Sequence, residues 1–109
     1  TLRSCSNEQL ELEMPWRDEI VSNPAIGSAH GGVLASLIDL TGLYTLLSQG
    51  TGAKATADLR VDYHRPATSG PLVASGKIIK IGKNISVAET RVYGPTGNLL
   101  ASGRGAYVC

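Results

Sequence analysis

The sequence predicts an α+β fold: one long central helix wrapped by a five-stranded antiparallel sheet, in a single domain over residues 1–109. Three observations predict it. Residues 28–48 (SAHGGVLASLIDLTGLYTLLS) carry apolar side chains at helical spacing. From Ala53 the period falls from that of a helix to two. The segments that follow are joined mostly by short Gly- and Asn-containing turns, and hairpins make antiparallel neighbours.

Taken in order, residues 8–21 (EQLELEMPWRDEIV) place Leu10, Leu12, Met14 and Trp16 on one parity, a strand pattern. Pro15 assigns that strand to a sheet edge or a bulge. Residues 22–29 (SNPAIGSA) read as a loop, turned by Asn23-Pro24 and loosened at Gly27. In the helix, Val33, Leu34, Leu37, Ile38, Leu40, Leu43, Tyr44, Leu46 and Leu47 cover nearly the whole circumference. Such a helix is expected to be buried on all sides. Its length approaches a membrane span, but Asp39 near its centre, with Ser36, Thr41 and flanking glycines, argues for a soluble core. Gly50 and Gly52 end it.

In the next strand (53–64), Ala55, Ala57, Leu59, Val61 and Tyr63 form one face, and Thr56, Asp58, Arg60, Asp62 and His64 the other. After a loop over 65–71, strands follow at 72–81, 85–93 and 99–108. Gly82-Lys83-Asn84 and Gly94-Pro95-Thr96-Gly97-Asn98 are the turns between them. A single helix covers one sheet face, so the other meets solvent or a second subunit. Asp58 and Arg60 alternate outward, and two copies of their strand would pair with crossed charges.

The formal charge of +1, with Arg65, Lys80, Lys83 and Arg104 scattered, gives no reason to expect nucleic acid or an anionic membrane as partner. Cys5 and Cys109 lie near opposite ends and read as free thiols in a reducing, cytoplasmic compartment. TLRSCSNEQ holds no apolar core segment, so no signal peptide is expected there. The chain starts at Thr1 without Met, and residues ahead of it are expected to be missing or processed away. A chain this short buries a modest fraction of its surface, which favours oligomerisation.

Asp39 is the chemical anomaly. A carboxylate amid hydrocarbon is costly without a partner, and its surroundings should raise its pKa unless a donor holds the anion. Two readings stand. Asp39 either lies on a solvated stripe or bonds nearby backbone; or it faces a ligand cavity as base or nucleophile. Ser36, one turn earlier, is within reach as its donor. Gly31 opens the helix, where unpaired N–H groups and the positive dipole end gather; tight loop entry and close packing explain the glycines equally well. His64 reads as a surface side chain. His30 and His64 lack neighbouring ligands at metal-binding spacing, so no metal is expected.

Asn23 and the loop to Gly27, HGGVLASLIDLTG (30–42), ADLRVDYHRPA (57–67), KIGKN (80–84) and ASGRGAYV (101–108) resemble the hotdog-fold acyl-CoA thioesterases of the phenylacetate-degradation type. The resemblance runs from about Asn23 to Val108. It implies the hotdog fold, a homodimer or homotetramer, and hydrolysis of an aryl- or medium-chain acyl-CoA to free acid and CoA. No cofactor is implied beyond the CoA of the substrate. The Gly31 N–H is implied as oxyanion donor, Asp39 as base or nucleophile, and Asn23 as the residue orienting water or substrate. His30 either orders the loop or touches the thioester sulfur; satisfying backbone groups at the helix start is its structural alternative. Arg65, Lys80, Gly82, Lys83 and Asn84 fall where relatives bind the phosphates and adenine of CoA, although each is also an ordinary surface or turn residue. Some relatives place Thr one turn after the acid, where this chain has Leu43. The segment before Asn23 is shorter than in many relatives.

Spacing adds an inference. Gly31 and Asp39 are eight residues apart, about 12 Å along a helix. One carbonyl cannot contact both, so if both act they come from different chains. Two other functions remain open at this level: a non-catalytic acyl-CoA-binding module, and enoyl-CoA hydratase or dehydratase chemistry. Trp16, Ile26 and Tyr44 are the candidate walls of an acyl pocket.

Overall fold

The computed structural model describes all residues except Thr1, Asn7, Glu8, 17–20, 24–27 and His30. Its elements are β1 (Leu2–Ser6), β2 (Gln9–Met14), β3 (Val21–Asn23), β4 (Ser28–Ala29), α1 (Gly31–Ser48), β5 (Ala55–Tyr63), β6 (Leu72–Lys80), β7 (Ile85–Tyr93) and β8 (Leu99–Val108). One antiparallel sheet runs in the order β1-β2-β6-β7-β8-β5, and α1 packs across it. The five expected strands are all in that sheet. A sixth, β1, extends it beyond β2.

Two boundaries differ from the sequence reading. The strand expected over 8–21 stops at Met14, because Pro15 has no N–H to continue a ladder. It is not an edge, since β1 pairs with its outer side and β6 with its inner side. The expected loop 22–29 is framed by a short antiparallel pair, β3–β4, that joins Val21 to Ala29 and Asn23 to Ser28. The helix begins at Gly31, the residue expected to open it.

The helix end follows the expected chemistry at Gly50. Its φ is +79°, and its N–H bonds the Leu47 carbonyl at 3.0 Å, a left-handed terminus that glycine accepts without penalty. On the sheet side, Leu34, Leu37 and Ile38 pack with Leu72, Ala74, Val92, Leu100 and Ala101 into the larger core cluster. Leu46, Ala53, Ile78, Ala88 and Tyr107 form the smaller one. Each fully buried Leu, Ile or Val in these clusters contributes roughly 1.5–3 kcal/mol. Thr41 and Thr45 are also buried, and each hydroxyl is bonded at 2.6 Å to the carbonyl one turn earlier.

The helix is not buried all round. Leu40 is 47% exposed, Tyr44 46% and Leu47 42%, and together with Ser36 they form an open stripe along α1. One sheet covers one side of a helix; the apolar circumference seen in the sequence therefore leaves a face that the single chain does not fill. Strand β5 lies at the sheet edge, and of its side chains Leu59 and Val61 are half-buried while the rest are exposed. The sheet face away from α1 carries Asp58, Arg60, Asp62, Glu89, Arg91 and Arg104 around an open depression of about 440 Å³. Arg91 and Arg104 lie 3.7 and 3.9 Å from Glu89, and Arg60 lies 3.5 Å from Asp62. Exposed pairs of this kind contribute little to stability.

Candidate active site on the central helix

Gly31 is the first residue of α1, so its amide has no acceptor within the helix. Tyr63, the last residue of β5, reaches across to it. Its hydroxyl donates to the Gly31 carbonyl at 2.7 Å. A Cβ at position 31 would sit 3.3 Å from the Tyr63 ring, so the phenol and the glycine are fitted to each other. An open cleft of about 260 Å³ begins here, lined by Gly31, Leu34, Tyr63, His64, Arg65 and Pro66 among others. His64 is exposed, with its Nε2 2.8 Å from the Ser102 hydroxyl, the surface position expected of it. The backbone of Asn23 lies in β3, close in sequence to this helix start. The expectations for the Asn23 side chain and for His30 lie outside the described residues.

Asp39 sits on α1 about 12 Å further along. It is half-buried, at the border between the packed face and the open stripe. Of the two readings of its sequence context, the solvated stripe has its counterpart in the single chain, and the carboxylate is also held by a specific donor. The Thr56 hydroxyl donates to Asp39 Oδ1 at 2.6 Å. Thr56, not Ser36, is therefore its hydrogen-bond donor among the described residues.

The reason lies in a β-bulge. Along the β5–β8 ladder Thr56 pairs with Tyr107, but Asp58 pairs with Ala106, so one extra residue, Ala57, is inserted. The insertion reverses the parity of the strand. Asp58, Arg60 and Asp62 line the outer depression, whereas Thr56 faces the helix beside Tyr107. Strict alternation placed Thr56 with Asp58 and Arg60, and the bulge corrects that assignment.

Tyr107 is fully buried, and its hydroxyl donates to the main-chain carbonyl of Asp39 at 2.9 Å. Burial, with the nearby Asp39 charge adding to the effect, pushes its phenol well above the ordinary tyrosine range. Three hydroxyl residues that the sequence reading did not single out for the site thus hold its two poles. Tyr63 serves Gly31; Thr56 and Tyr107 serve Asp39. The faint signal for Thr56 was a hydroxyl in a strand next to the helix; for the tyrosines there was none beyond their scarcity.

The residues assigned to CoA do not gather in one chain. Arg65 follows β5, and its N–H bonds the Leu100 carbonyl at the start of β8. Lys80 ends β6, and Gly82, Lys83 and Asn84 form the β6–β7 turn, where the Asn84 carbonyl accepts from Cys109. Leu100 and Cys109 are separated by the length of β8, roughly 30 Å at ~3.3 Å per residue. Arg65 therefore belongs to the Gly31 end, and Lys80–Asn84 to the end that holds Thr56. The N–H of Gly82 is also not a free donor, because it bonds the Ser86 hydroxyl at 3.1 Å. Arg65, Lys80, Lys83 and Asn84 are exposed.

Of the walls suggested for an acyl pocket, Trp16 packs against the larger core cluster, Tyr44 stands on the open stripe, and Ile26 lies outside the described residues. Among the described residues no three His, Cys, Asp or Glu side chains are grouped to hold a metal ion. Cys109 is a free thiol.

Comparison with known proteins adds to this geometry. Residues 26–101 match the family model described as Thioesterase superfamily. The chain is 32% identical to mouse acyl-coenzyme A thioesterase 13 over 107 residues, covering 95% of this chain and 75% of that protein. Its fold superimposes on the X-ray structure of a protein from the thioesterase superfamily with a TM-score of 0.95 and 41% identity, over 100% of this chain and 83% of the other. Against the Escherichia coli PaaI protein from the phenylacetic acid degradation operon the TM-score is 0.88 with 27% identity, over 99% and 81% of the two chains.

Proposed function

Because the chain belongs to the thioesterase superfamily, with the hotdog fold and thioester hydrolase activity of that family, we propose that it hydrolyses an aryl- or medium-chain acyl-CoA at a site shared between two subunits. The observation that carries this reading is the separation of the two poles on one continuous helix. Gly31 opens a cleft of which Asp39 is not a lining residue, and Asp39 lies beside a stripe the chain leaves uncovered. A second copy laid against that stripe would bring its own helix start toward Asp39.

In the proposed reaction the thioester carbonyl lodges at the helix start, where the Gly31 N–H and the positive end of the α1 dipole stabilise the oxyanion. Asp39 of the other subunit acts on it. As base it takes a proton from water as the oxygen attacks the carbonyl; as nucleophile it forms an anhydride that water then cleaves. Both routes end in free acid and CoA thiol. The Thr56 hydroxyl occupies Oδ1, which leaves Oδ2 for the reaction. Asn23 is proposed to orient water or substrate, and His30 to order the loop before Gly31. Arg65 from one subunit, with Lys80, Lys83 and Asn84 from the other, is the proposed cationic and polar lining for the CoA phosphates. Gly82 shapes the turn rather than donating to the ligand.

The testing experiment is a panel of aryl-, short-, medium- and long-chain acyl-CoA esters assayed with the wild type and Asp39→Asn. Turnover of aryl- or medium-chain esters that falls by about 10²–10⁴ in the variant is expected. Wild-type turnover in Asp39→Asn would remove the acid from the mechanism.

A further inference from the structure

We propose that Tyr107 is a positioning residue for Asp39: its buried hydroxyl, bonded to the Asp39 carbonyl, fixes the turn of α1 that carries the carboxylate. The inference rests on the reading of Asp39 as base or nucleophile.

Tyr107 is the largest fully buried side chain of the described residues, and two glycines keep its place open. A Cβ on Gly42, from the helix, or on Gly105, from the sheet, would collide with the Tyr107 hydroxyl. The slot is therefore shaped around the phenol oxygen from both sides.

Packing alone does not call for that oxygen. A phenylalanine would fill the same ring space without taking a hydroxyl out of water, which is costly unless the group is bonded. Nor does the Asp39 carbonyl need a second donor. It lies in the helix interior, where the N–H of Leu43 is its regular partner. The added bond ties this helical turn to β8, and the site is where such a tie has a consequence. A displacement of about 1 Å in a reacting group costs on the order of 10²-fold in rate.

Thr56 and Tyr107 complete each other. Thr56 holds the Asp39 carboxylate, Tyr107 holds the Asp39 main chain, and the two residues are direct partners in the β5–β8 ladder. Because burial and the nearby charge keep the phenol protonated well beyond its ordinary range, it stays a neutral donor at any pH where the enzyme would act. It is fully buried and bonded to the Asp39 main chain, so it acts through Asp39.

The test is steady-state kinetics of Tyr107→Phe in the full chain, alone and combined with Asp39→Asn. A fall in kcat of about tenfold with KM within about twofold of wild type is expected. In the Asp39→Asn background the same change should cost nothing further, because the group it positions is already disabled. Native kcat in Tyr107→Phe, or a loss that multiplies independently in the double variant, would overturn the proposal. Native turnover in Asp39→Asn would instead sink the reading of the acid itself. If Tyr107→Phe does not fold, Gly42→Ala addresses the same contact, since its methyl meets the phenol oxygen while the nearest ring carbons lie 3.0 and 3.2 Å away. The same selective kcat loss supports the proposal there, and native kcat overturns it.

Discussion

Thr56 and Tyr107 face each other across the β5–β8 ladder, and both hydroxyls close on Asp39, one on its carboxylate and one on its backbone. They share a side of the sheet only because Ala57 is an extra residue. Without that bulge Thr56 would join Asp58 on the outer face, and Asp39 would lose its donor.

Thr56→Ala should lower kcat by about tenfold, the expected loss of one charge-assisted hydrogen bond of roughly 1.5 kcal/mol. Thr56→Ser, which keeps the hydroxyl, should restore most of it. Acyl-CoA hydrolysis followed by thiol release measures both. Equal turnover in wild type and Thr56→Ala would mean that the carboxylate needs no fixed partner.

At the other pole, Tyr63→Phe removes the bond to the Gly31 carbonyl while keeping the ring against Gly31. Tyr63 is 54% exposed, so the loss of stability should stay below about 1 kcal/mol. The ratio kcat/KM should nevertheless fall by about fivefold, because the helix start that presents the Gly31 N–H is less firmly held. Thermal unfolding and kinetics on the same preparation separate the two effects.

A shared site predicts complementation. Gly31→Pro removes the oxyanion donor at a helix position that tolerates proline, and Asp39→Ala removes the acid. Each variant alone should be inactive. Hybrids formed by denaturing and refolding the two together should regain up to about half of the wild-type turnover per dimer, since one of the two sites is then intact. Hybrids verified by mass that show no turnover would place both residues in sites made by single chains.

The pH dependence of stability carries a signature of Tyr107. Its phenol is raised in the folded state above the ordinary value of 10.0, so the folded chain keeps a proton that the unfolded chain releases. The stabilisation is fully present below about pH 10 and is lost as pH rises beyond it, by up to ~1.4 kcal/mol per pH unit for this one group. Denaturant midpoints measured from pH 9 to 11 should therefore fall more steeply in the wild type than in Tyr107→Phe. Parallel slopes would show that the phenol ionises alike in both states.

Much of this protein was written in local pattern. Period-3.6 apolar spacing located α1, alternation located β5, the Gly and Asn turns located β6 to β8, and the isolated acid singled out Asp39; each is a property of neighbouring residues. The sequence also placed Gly31 and Asp39 too far apart for one carbonyl, because helix rise per residue is a constant. What tertiary structure alone decided was everything that depends on which strands become neighbours. It set Thr56 and Tyr107 on Asp39, set Tyr63 on Gly31, and sent Arg65 and Lys80–Asn84 to opposite ends of the sheet. It also uncovered Leu40, Tyr44 and Leu47 on a helix whose composition spoke only of burial. Partners 17, 32 and 68 residues apart are joined by sheet order and by a one-residue bulge, and neither leaves a periodic trace along the chain.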